Sequence, residues 1–396
     1  MEFSEFILLH DGDDLGELAL SRDRYVRDVE DFDRALTTLE VRRKLRGKVP
    51  RWWGVPSLQY PSRLSGEQCS SEETARYKAS VAMKASAGAV IADLTGGMGV
   101  DTWAFAQLFG RVLYNEMQAE LADAALYNFR ELGLENVTVC SRELVSGALA
   151  GILEEFRPDI LYLDPARRAA DGRKVFRLED CRPDVLQLLP ELLEACPLVL
   201  LKLSPMADIS LVCKQLGCVR EVHVVAAEGE CKELLLLLER GYEGAYGLFV
   251  VEDGAVQEVP HPKQEDRTVG GEVSAAKWLF EPGKALLKAG VFGWPCRFGL
   301  QKLGQHTHAY LGLEPVEALK PFGKWYRILE VAPLNNRSIK EIGKKYPRAE
   351  VTARNIPLTS EQLRARLGVR SGGEVHLFGL HADMPFANLL LVCTGQ

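Results

Sequence analysis

Three acidic side chains lie at or just after the ends of apolar segments in the middle of the chain. Asp93 ends "AVIAD", Glu116 follows "RVLYN", and Glu143 lies shortly after "NVTVC". Carboxylates accept hydrogen bonds, so acids at neighbouring strand ends are suited to binding hydroxyl and amino groups. In nucleoside-binding α/β folds, an acid about 20 residues after the first strand binds the ribose hydroxyls, and Glu116 has this spacing from Asp93. Glu143 comes where an acceptor meets an adenine amino group.

The segment between the first two acids is rich in glycine. In "LTGGMGVD", Gly96, Gly97 and Gly99 lie where a strand passes into a helix. Glycine lets the backbone turn tightly and approach a ligand closely. A phosphate-binding Walker loop is excluded because no Gly-Lys-Ser/Thr follows, and a dinucleotide fingerprint is incomplete because Thr102 replaces its third glycine. A turn that only packs a helix on a strand is the alternative.

The elements that position these residues alternate between strand and helix. From about residue 85 to 240, helical stretches separate short apolar runs such as "AVIADL", "RVLYNE", "DILYLD" and "LVLLKL". This alternation predicts parallel strands joined by helical crossovers, and continuous apolar strands predict a sheet that is covered on both faces. The predicted fold class is α/β, with a Rossmann-like doubly wound sheet over residues 81–262.

Three of these segments resemble a known family. "DLTGGMGVD", "NEMQAELADAALYNF" and "LYLDPARR" resemble motifs I, II and IV of the class I S-adenosylmethionine-dependent methyltransferases. The resemblance implies S-adenosylmethionine as the cofactor, with Asp93 and Gly97 at its methionine end, the flanking glycines toward the nucleoside, and the two later acids at ribose and adenine. Motif I departs from the commonest form at Thr95, where many members have glycine. The cofactor-binding residues implied are Asp93, Thr95, Gly96, Gly97, Gly99, Asp101, Glu116, Met117 and Glu143.

The segment "YLDPARR" ends a predicted strand at Asp164, and Pro165 fixes the backbone as it leaves the sheet. It resembles the Asp/Asn-Pro-Pro-aromatic motif of methyltransferases that act on amino groups in nucleic acids, which implies that Asp164 and Pro165 form the catalytic site. Asp164 would accept a hydrogen bond from the acceptor N–H and stabilise positive charge on nitrogen. Arg167 replaces the aromatic residue, and it can stack on a base or, with Arg168, bind phosphate. A structural Asp-Pro turn in a non-catalytic relative is the alternative.

Two further segments are expected at the same edge of the sheet. "LKLSPMAD" places Lys202 and Ser204 after the next long strand, as a wall of the substrate pocket, although a lone lysine is more often an ion-pair partner. "EQCSSEETARYKAS" precedes the first strand and predicts a helix capped by Ser70 or Ser71. The resemblance places this helix beside the methionine moiety, and a capped amphipathic helix without that role is the alternative.

The N-terminal part of the chain is predicted to be helical over residues 1–80. Apolar residues recur there at three- and four-residue intervals and predict one helix that ends before Gly47 and Pro50. These residues are Tyr25, Val29, Phe32, Leu36 and Leu39.

Two small α+β modules follow the sheet. A ferredoxin-like module is predicted at 270–316, and residues 322–396 follow the order β-α-β-α-β-β. The latter resembles the THUMP-like C-terminal domain of a bacterial branch of these methyltransferases, including its "RNIPLT" and "GGEVHLF" runs. THUMP relatives present RNA to a catalytic domain, which implies substrate contacts for Arg354, Arg364 and Arg366.

The charge of the chain is unevenly distributed. Residues 271–396 hold 17 Lys and Arg against 10 Asp and Glu, whereas the whole chain holds 48 against 55. Such asymmetry is typical of a nucleic-acid-facing module on an acidic body. Dispersed basic residues that simply solvate a surface are the alternative.

Composition excludes several classes of protein. Apolar residues make up 47% and charged residues 26% of the chain, as in globular proteins, and no apolar run reaches the roughly 18 residues of a membrane span. Nine cysteines lack the spacing of a disulfide framework and the first residues lack the basic region of a signal peptide, so a cytoplasmic location is expected. Cys296, His306 and His308 do not have zinc-site spacing, and no metal is expected.

The leading hypothesis is a cytoplasmic S-adenosylmethionine-dependent methyltransferase that acts on a base nitrogen in RNA, either tRNA or rRNA, with the basic C-terminal module docking the substrate. One alternative is a non-catalytic RNA-binding or assembly protein that retains the cofactor pocket. Another is a small-molecule methyltransferase whose tail makes oligomer contacts. The sequence leaves the RNA species, the nucleotide and the oligomeric state open.

Overall fold

The computed structural model of the chain describes residues 2–29, 31–86, 88–154, 156–167, 178–262, 275–383 and 386–395. The chain divides into two compact units. The first contains Met1–Val222 and Leu234–Tyr246, and the second contains His223–Glu233 and Gly247–Gln396. No helix in the described residues combines the length and apolar character needed to cross a membrane.

Short helices occupy the chain before the first strand. Their bounds are α1 Phe3–His10, α2 Leu15–Leu20, α3 Arg22–Tyr25, α4 Phe32–Lys48, α5 Pro50–Trp53, α6 Arg63–Gln68 and α7 Glu72–Ser86. The prediction of one continuous helix from Tyr25 onward is wrong, because α3 ends at Tyr25 and the next helix, α4, begins at Phe32. The Asp31 carboxylate accepts a hydrogen bond from Arg34 N (3.0 Å) and caps α4 at its start. Local capping therefore outweighs the apolar periodicity at this point.

A doubly wound sheet forms the centre of the first unit, as predicted. The strands of this part of the chain are β1 Val90–Asp93, β2 Arg111–Asn115, β3 Val137–Cys140, β4 Ile160–Leu163, β5 Ala166–Arg167, β6 Cys181–Arg182, β7 Leu198–Leu203, β8 Val219–Ala227 and β9 Glu230–Glu239. The helices between them are α8 Val100–Ala106, α9 Ala119–Glu131, α10 Leu149–Leu153, α11 Val185–Ala195 and α12 Ile209–Leu216. Within this unit the strand order is β9-β7-β4-β1-β2-β3, and only β9 runs antiparallel to its neighbour.

The apolar strands are covered by helices, which explains their continuous hydrophobic sequences. Ile91 on β1 and Tyr162 on β4 lie in one core with Trp103 and Phe105 on α8. Parallel strands end at a common edge, so the loops after β1, β2, β4 and β7 leave the sheet on the same side. The predicted catalytic and cofactor-binding side chains lie at or near this carboxyl edge.

The second unit is built mainly on a seven-stranded sheet. Its later strands are β10 Gly247–Glu252, β11 Ala255–Val259, β12 Trp278–Pro282, β13 Gln301–Lys302, β14 Tyr310–Gly312, β15 Gly323–Pro333, β16 Glu350–Arg354, β17 Val375–Asp383 and β18 Phe386–Gly395, with helices α13 Lys284–Ala289, α14 Asn336–Lys345 and α15 Ser360–Leu367. The sheet order is β13-β14-β12-β15-β18-β17-β16, and β10 and β11 form a hairpin. From β15 onward the chain has the predicted order β-α-β-α-β-β. Helices α14 and α15 pack on this sheet through a core of their own.

Candidate functional site

The loop after β1 is organised by the carboxylate at the strand end. Asp93 is fully buried, and it accepts hydrogen bonds from Thr95 N (3.1 Å) and Thr102 Oγ1 (2.6 Å). Burial raises the pKa of Asp93 to about 8, although the Thr102 hydroxyl favours the ionised form. Thr95 Oγ1 in turn accepts a hydrogen bond from Asp164 N (2.7 Å). The loops after β1 and β4 are therefore one hydrogen-bonded unit.

The glycines of this loop pack against aromatic side chains. A Cβ at Gly96 would overlap the Tyr114 ring, and a Cβ at Gly99 would lie 2.7 Å from Phe129 Cζ. Gly97 and Gly99 both have left-handed backbone, with φ of +53° and +89°, but at Gly97 no described atom beyond the adjacent residues lies within 4 Å of the position its Cβ would take. Gly96 is therefore required by packing, Gly99 by both packing and backbone conformation, and Gly97, which borders open space, by backbone conformation alone.

Glu116 connects the glycine loop to the start of α9. Its Oε2 accepts a hydrogen bond from Gly97 N (2.9 Å) and its Oε1 accepts one from Gln118 N (2.9 Å). A carboxylate oxygen accepts two hydrogen bonds, so both oxygens retain acceptor capacity. Glu116 is 7% exposed, whereas the neighbouring Met117 is 56% exposed, and Glu143 beyond β3 is exposed as well. A fixed acceptor thus lies beside accessible side chains.

Asn115 is a site residue that the sequence analysis missed. It is buried; its Nδ2 donates to Leu94 O (3.2 Å) and Arg142 O (3.0 Å), and its Oδ1 accepts from Arg142 N (3.1 Å). One side chain thus ties the loops after β1 and β3 to the end of β2. The available signal was a polar residue directly after a buried apolar run, since such a residue needs hydrogen-bond partners.

A buried ion pair joins α7 to the start of α8. Lys78 Nζ lies 3.2 Å from Asp101 Oδ1, and the lysine side chain is 0% exposed. Asp101 Oδ2 accepts hydrogen bonds from Ser70 Oγ (3.0 Å) and Tyr162 OH (2.7 Å). Burial favours the neutral acid, but the charges of Lys78 and then Lys202 outweigh it, so the pKa of Asp101 lies below its ordinary value.

The helix α7 begins close to its predicted position. Ser71 Oγ accepts a hydrogen bond from Thr74 N (3.2 Å) and caps the helix, which leaves Ser70 for Asp101. Sequence reasoning missed Lys78, because a lysine in an amphipathic helix is usually exposed. Only the packed structure shows that this lysine faces inward.

Asp164, the predicted catalytic carboxylate, is paired with a lysine. Strands β4 and β7 are in register with Leu163 opposite Leu201, so the next residues on each strand lie side by side. Lys202 Nζ donates to Asp164 Oδ2 in an ion pair in which the lysine side chain is 14% exposed and the carboxylate 35%. Lys202 therefore lies at the carboxyl edge and forms the kind of ion pair considered for it from the sequence.

The rest of the predicted substrate pocket is only partly described. Pro165 is buried, and β5 pairs antiparallel with β6 directly after it. The Arg167 side chain and the whole of Arg168 lie outside the described residues, as do the roles predicted for them. Ser204 Oγ accepts a hydrogen bond from Met206 N (3.2 Å) within the loop after β7. Among the described residues, no group of three or more His, Cys, Asp or Glu side chains is arranged to hold a metal ion.

The three arginines predicted to contact substrate belong to the second unit and differ in their surroundings. Arg354 forms an ion pair with Glu281, and Arg364 Nη2 lies 3.9 Å from Glu350 Oε2. Arg366 is exposed on α15 and lines a cavity. Of the three, Arg366 is therefore the cation most accessible to a ligand.

This cavity is a groove of about 780 Å³ between α14 and α15. It is lined by Lys340 and Lys344 on α14 and by Arg366 on α15, and we call these three side chains the basic groove. All three are exposed, and within the described residues none forms an ion pair. Gly343 lets the helices approach closely, since a Cβ there would overlap Leu367 O. The four-residue spacing of the lysines was the signal in the sequence, since it places both on one face.

Comparison with known proteins gives matches to parts of the chain and to nearly all of it. A family model described as THUMP domain-like matches residues 323–394, and one described as a ferredoxin-like domain matches residues 278–319. A crystal structure assigned as a methyltransferase from Porphyromonas gingivalis is 31% identical, with a TM-score of 0.83, and the match covers 99% of this chain and 97% of that chain. An uncharacterized S-adenosylmethionine-dependent methyltransferase, found in two strains of Mycobacterium tuberculosis, is 26% identical over 341 residues, which is 84% of this chain and 88% of the relative.

Proposed function

We propose that a base nitrogen in RNA is the methyl acceptor of this chain, which belongs to the class I S-adenosylmethionine-dependent methyltransferases with a THUMP-like C-terminal domain. The observation that carries the proposal is the hydrogen bond between Thr95 Oγ1 and Asp164 N. It joins the loop that fits the methyl donor to the backbone of the residue whose carboxylate fits the acceptor.

The loops after β1 and β2 fit S-adenosylmethionine. Gly97 borders open space, Glu116 retains acceptor capacity for the two ribose hydroxyls, and the exposed Met117 offers apolar surface to the adenine. Asp93 holds the loop backbone through Thr95 N, and Asp101 ties the start of α8 to Tyr162 on β4, both from inside the protein. When bound, the cofactor supplies an electrophilic methyl group on a positively charged sulfur. The protein then has to hold an acceptor lone pair in line with that methyl group.

Asp164 is the group that fits the acceptor. Its Oδ2 contacts Lys202, whereas Oδ1 has no partner among the described residues and is able to accept a hydrogen bond from an N–H. Because the backbone of Asp164 is bonded to Thr95, the carboxylate is held at a fixed position relative to the cofactor loop. Most of the rate enhancement in such a transfer comes from positioning, so this connection is what the chemistry requires.

The basic groove supports RNA as the substrate class. Lys340, Lys344 and Arg366 present three exposed cations along one groove, and Lys and Arg side chains are the usual partners of nucleic-acid phosphates. The groove lies within residues that match the THUMP domain-like family. A polyanion gains affinity from such a groove without any base contact.

The proposal is tested by methyl transfer from tritium-labelled S-adenosylmethionine to RNA isolated from cells in which the gene for this protein is deleted. We expect the full-length protein to label that RNA and not RNA from the unmodified cells, whose sites are already methylated. Asp164→Asn should abolish labelling and retain cofactor binding measured by calorimetry. Asp123→Asn, on the exposed face of α9, is the matched control and should label RNA as the unmodified protein does.

An absence of label in every RNA fraction, in a protein that binds S-adenosylmethionine, would contradict the proposal. Label in small molecules alone would favour a different acceptor class. Loss of cofactor binding in Asp164→Asn would instead place this residue at the cofactor.

A further inference from the structure

Lys202 gives the acceptor site a chemical character that Asp164 alone would lack. The register of β4 and β7 places the two side chains next to each other, and the pair joins two strands 38 residues apart in sequence. Lys202 is the more buried partner, at 14% exposed against 35% for the carboxylate, so an incoming acceptor meets an anion backed by a cation. Asp101 adds a further attraction on Lys202, because the two charges are close enough to interact.

A cation at this position disfavours an amine as the nucleophile. When an exocyclic amino group attacks the methyl carbon, positive charge develops on nitrogen, and a neighbouring ammonium opposes it. The edges of adenine and cytosine do offer an N–H beside a ring nitrogen, which would match Asp164 and Lys202. An ammonium donating to that ring nitrogen, however, withdraws electron density from the amine. The pair therefore matches the hydrogen-bonding pattern of these edges, but its ammonium disfavours the positive charge that develops on the attacking amine.

A lactam edge, in which a ring N–H lies beside a carbonyl, fits the pair in both respects. Its nitrogen becomes nucleophilic only when it loses the proton, and the resulting negative charge is shared with the carbonyl oxygen. Resting on the proposed function, we infer that the acceptor is a lactam ring nitrogen of guanine or uracil type, with its N–H on Asp164 and its carbonyl oxygen on Lys202. Lys202 is then a catalytic residue that stabilises an anionic nucleophile.

The transfer needs one proton acceptor, one nucleophilic electron pair and one leaving group. Asp164 Oδ1 takes the ring N–H proton, and the electron pair left on nitrogen forms the new N–C bond with the methyl carbon. The C–S bond breaks with its electron pair on sulfur, which loses its positive charge. The products are a neutral N-methylated base, the thioether form of the cofactor and a protonated Asp164, which returns its proton to water. Lys202 stabilises the conjugate anion from the loss of the proton until the N–C bond forms.

The experiment identifies the methylated nucleoside and the contribution of Lys202 together. RNA labelled by the full-length protein is digested to nucleosides, and the labelled species is identified by mass spectrometry against standards. We expect the methyl group on a lactam ring nitrogen. Lys202→Met should lower kcat by about 10²- to 10³-fold, the usual cost of removing one donor to a developing oxyanion. Lys202→Arg should recover part of this loss, since it restores the charge.

Two controls separate chemistry from folding. Lys214→Met removes an exposed lysine from α12 and should leave kcat unchanged. Lys202→Met should retain its melting temperature within a few degrees and its affinity for S-adenosylmethionine, because Met fills a similar volume and Asp164 is accessible to water. The loss expected for Lys202→Met is thus confined to methyl transfer.

The position of the label and the activity of Lys202→Met distinguish failure of the inference from failure of the proposed function. Label on an exocyclic amine, or on a ring nitrogen that carries no N–H, overturns the inference and leaves the proposed function intact. Label on a lactam nitrogen with full activity in Lys202→Met overturns the role of Lys202. No label in any RNA, with cofactor binding intact, overturns the proposed function and the inference with it.

Discussion

Two charged regions of this protein, one in each unit, hold their side chains in opposite surroundings. At the carboxyl edge of the first sheet, Lys78 and Asp101 form a buried pair, and two hydroxyl groups complete the coordination of the carboxylate. In the second unit the cations of the basic groove are exposed and unpaired within the described residues. Even a formed pair on α14, Arg337 with Glu341, joins side chains that are 86% and 63% exposed.

This difference indicates what each region is able to recognise. Buried charges interact strongly and in one geometry, so the carboxyl edge suits a small ligand bound in a single orientation. Exposed charges are screened by salt and contribute little individually. The basic groove therefore suits a long polyanion, which binds by general electrostatic attraction and does not require one fixed orientation. Removing a charge from each region in turn tests this contrast.

Removal of one partner of the buried pair should destabilise the first unit strongly. Asp101→Ala leaves Lys78 buried without its counter-charge, and we expect the free energy of unfolding to fall by about 3–5 kcal/mol. The double variant Lys78→Met with Asp101→Asn should recover much of this loss, because no buried charge remains. Chemical denaturation followed by circular dichroism measures all three proteins.

The matched change in the second unit should have no measurable effect. Arg337→Met removes a cation from an equally well-formed but exposed ion pair. If Arg337→Met and Asp101→Ala destabilised the protein equally, the contrast between buried and exposed charges would not describe this molecule.

Asp93 should make the stability of the first unit depend on pH. Burial raises its pKa from an ordinary value of 3.8 to about 8, so the folded chain holds a proton that the unfolded chain has released between these values. The stabilisation is complete below about pH 4 and is lost as the pH rises through about 8. The free energy of unfolding should therefore fall with rising pH in this window, by at most about 1.4 kcal/mol per pH unit.

Asp93→Asn should flatten this dependence, because asparagine keeps the shape of the side chain and does not titrate. Asp123→Asn, at an exposed position on α9, serves as the control and should keep the unmodified slope. An unchanged slope in Asp93→Asn would show that the carboxyl stays ionised in the fold.

Glu116→Ala should weaken cofactor binding. The change removes the acceptor that we propose for the ribose hydroxyls and also frees Gly97 N and Gln118 N, which it holds in place. Hydrogen bonds to a charged group are worth about 1.5–3 kcal/mol, so we expect a roughly 10- to 100-fold rise in the Kd for S-adenosylmethionine by calorimetry. Glu120→Ala, exposed in the first turn of α9, should bind normally. Equal affinity in both variants would remove Glu116 from the cofactor site.

The sheet and the residues at its edge could be predicted from sequence because both depend on local patterns. Apolar runs bounded by polar residues locate strand ends, and parallel strands bring those ends together. Asp93, Glu116 and Asp164 could be found in this way. The apolar runs do not show which residues of neighbouring strands lie side by side. The strand register does: Lys202 lies beside Asp164 because Leu163 pairs with Leu201.

The features that sequence could not reveal all depend on which surfaces pack together. Gly96 and Gly99 looked like glycines that admit a ligand, but Tyr114 and Phe129 occupy the space where a Cβ would lie. Lys78 looked like a solvated residue of an amphipathic helix, and its burial follows from the packing of α7 against α8. At Asp31, a single N-cap starts a new helix inside a periodic pattern that predicted one longer helix.

The basic groove should show the smallest effect per residue, and the effect should depend on salt. Each cation that contacts a phosphate releases about one counterion, so its loss should lower the slope of log affinity against log salt by about 0.9 and RNA affinity at 0.15 M salt by roughly fivefold. Single changes of Lys340, Lys344 or Arg366 to glutamine should each behave in this way, and the triple change should lower the slope by nearly the sum of the three single reductions.

Arg337→Gln is the control. It removes the same charge from α14 outside the groove lining, and it should leave the slope nearly unaltered. Fluorescence anisotropy with a labelled RNA at several salt concentrations makes the comparison. If Arg337→Gln lowered the slope as much as a groove variant, the second unit would attract RNA through its overall charge, and the groove would have no special role.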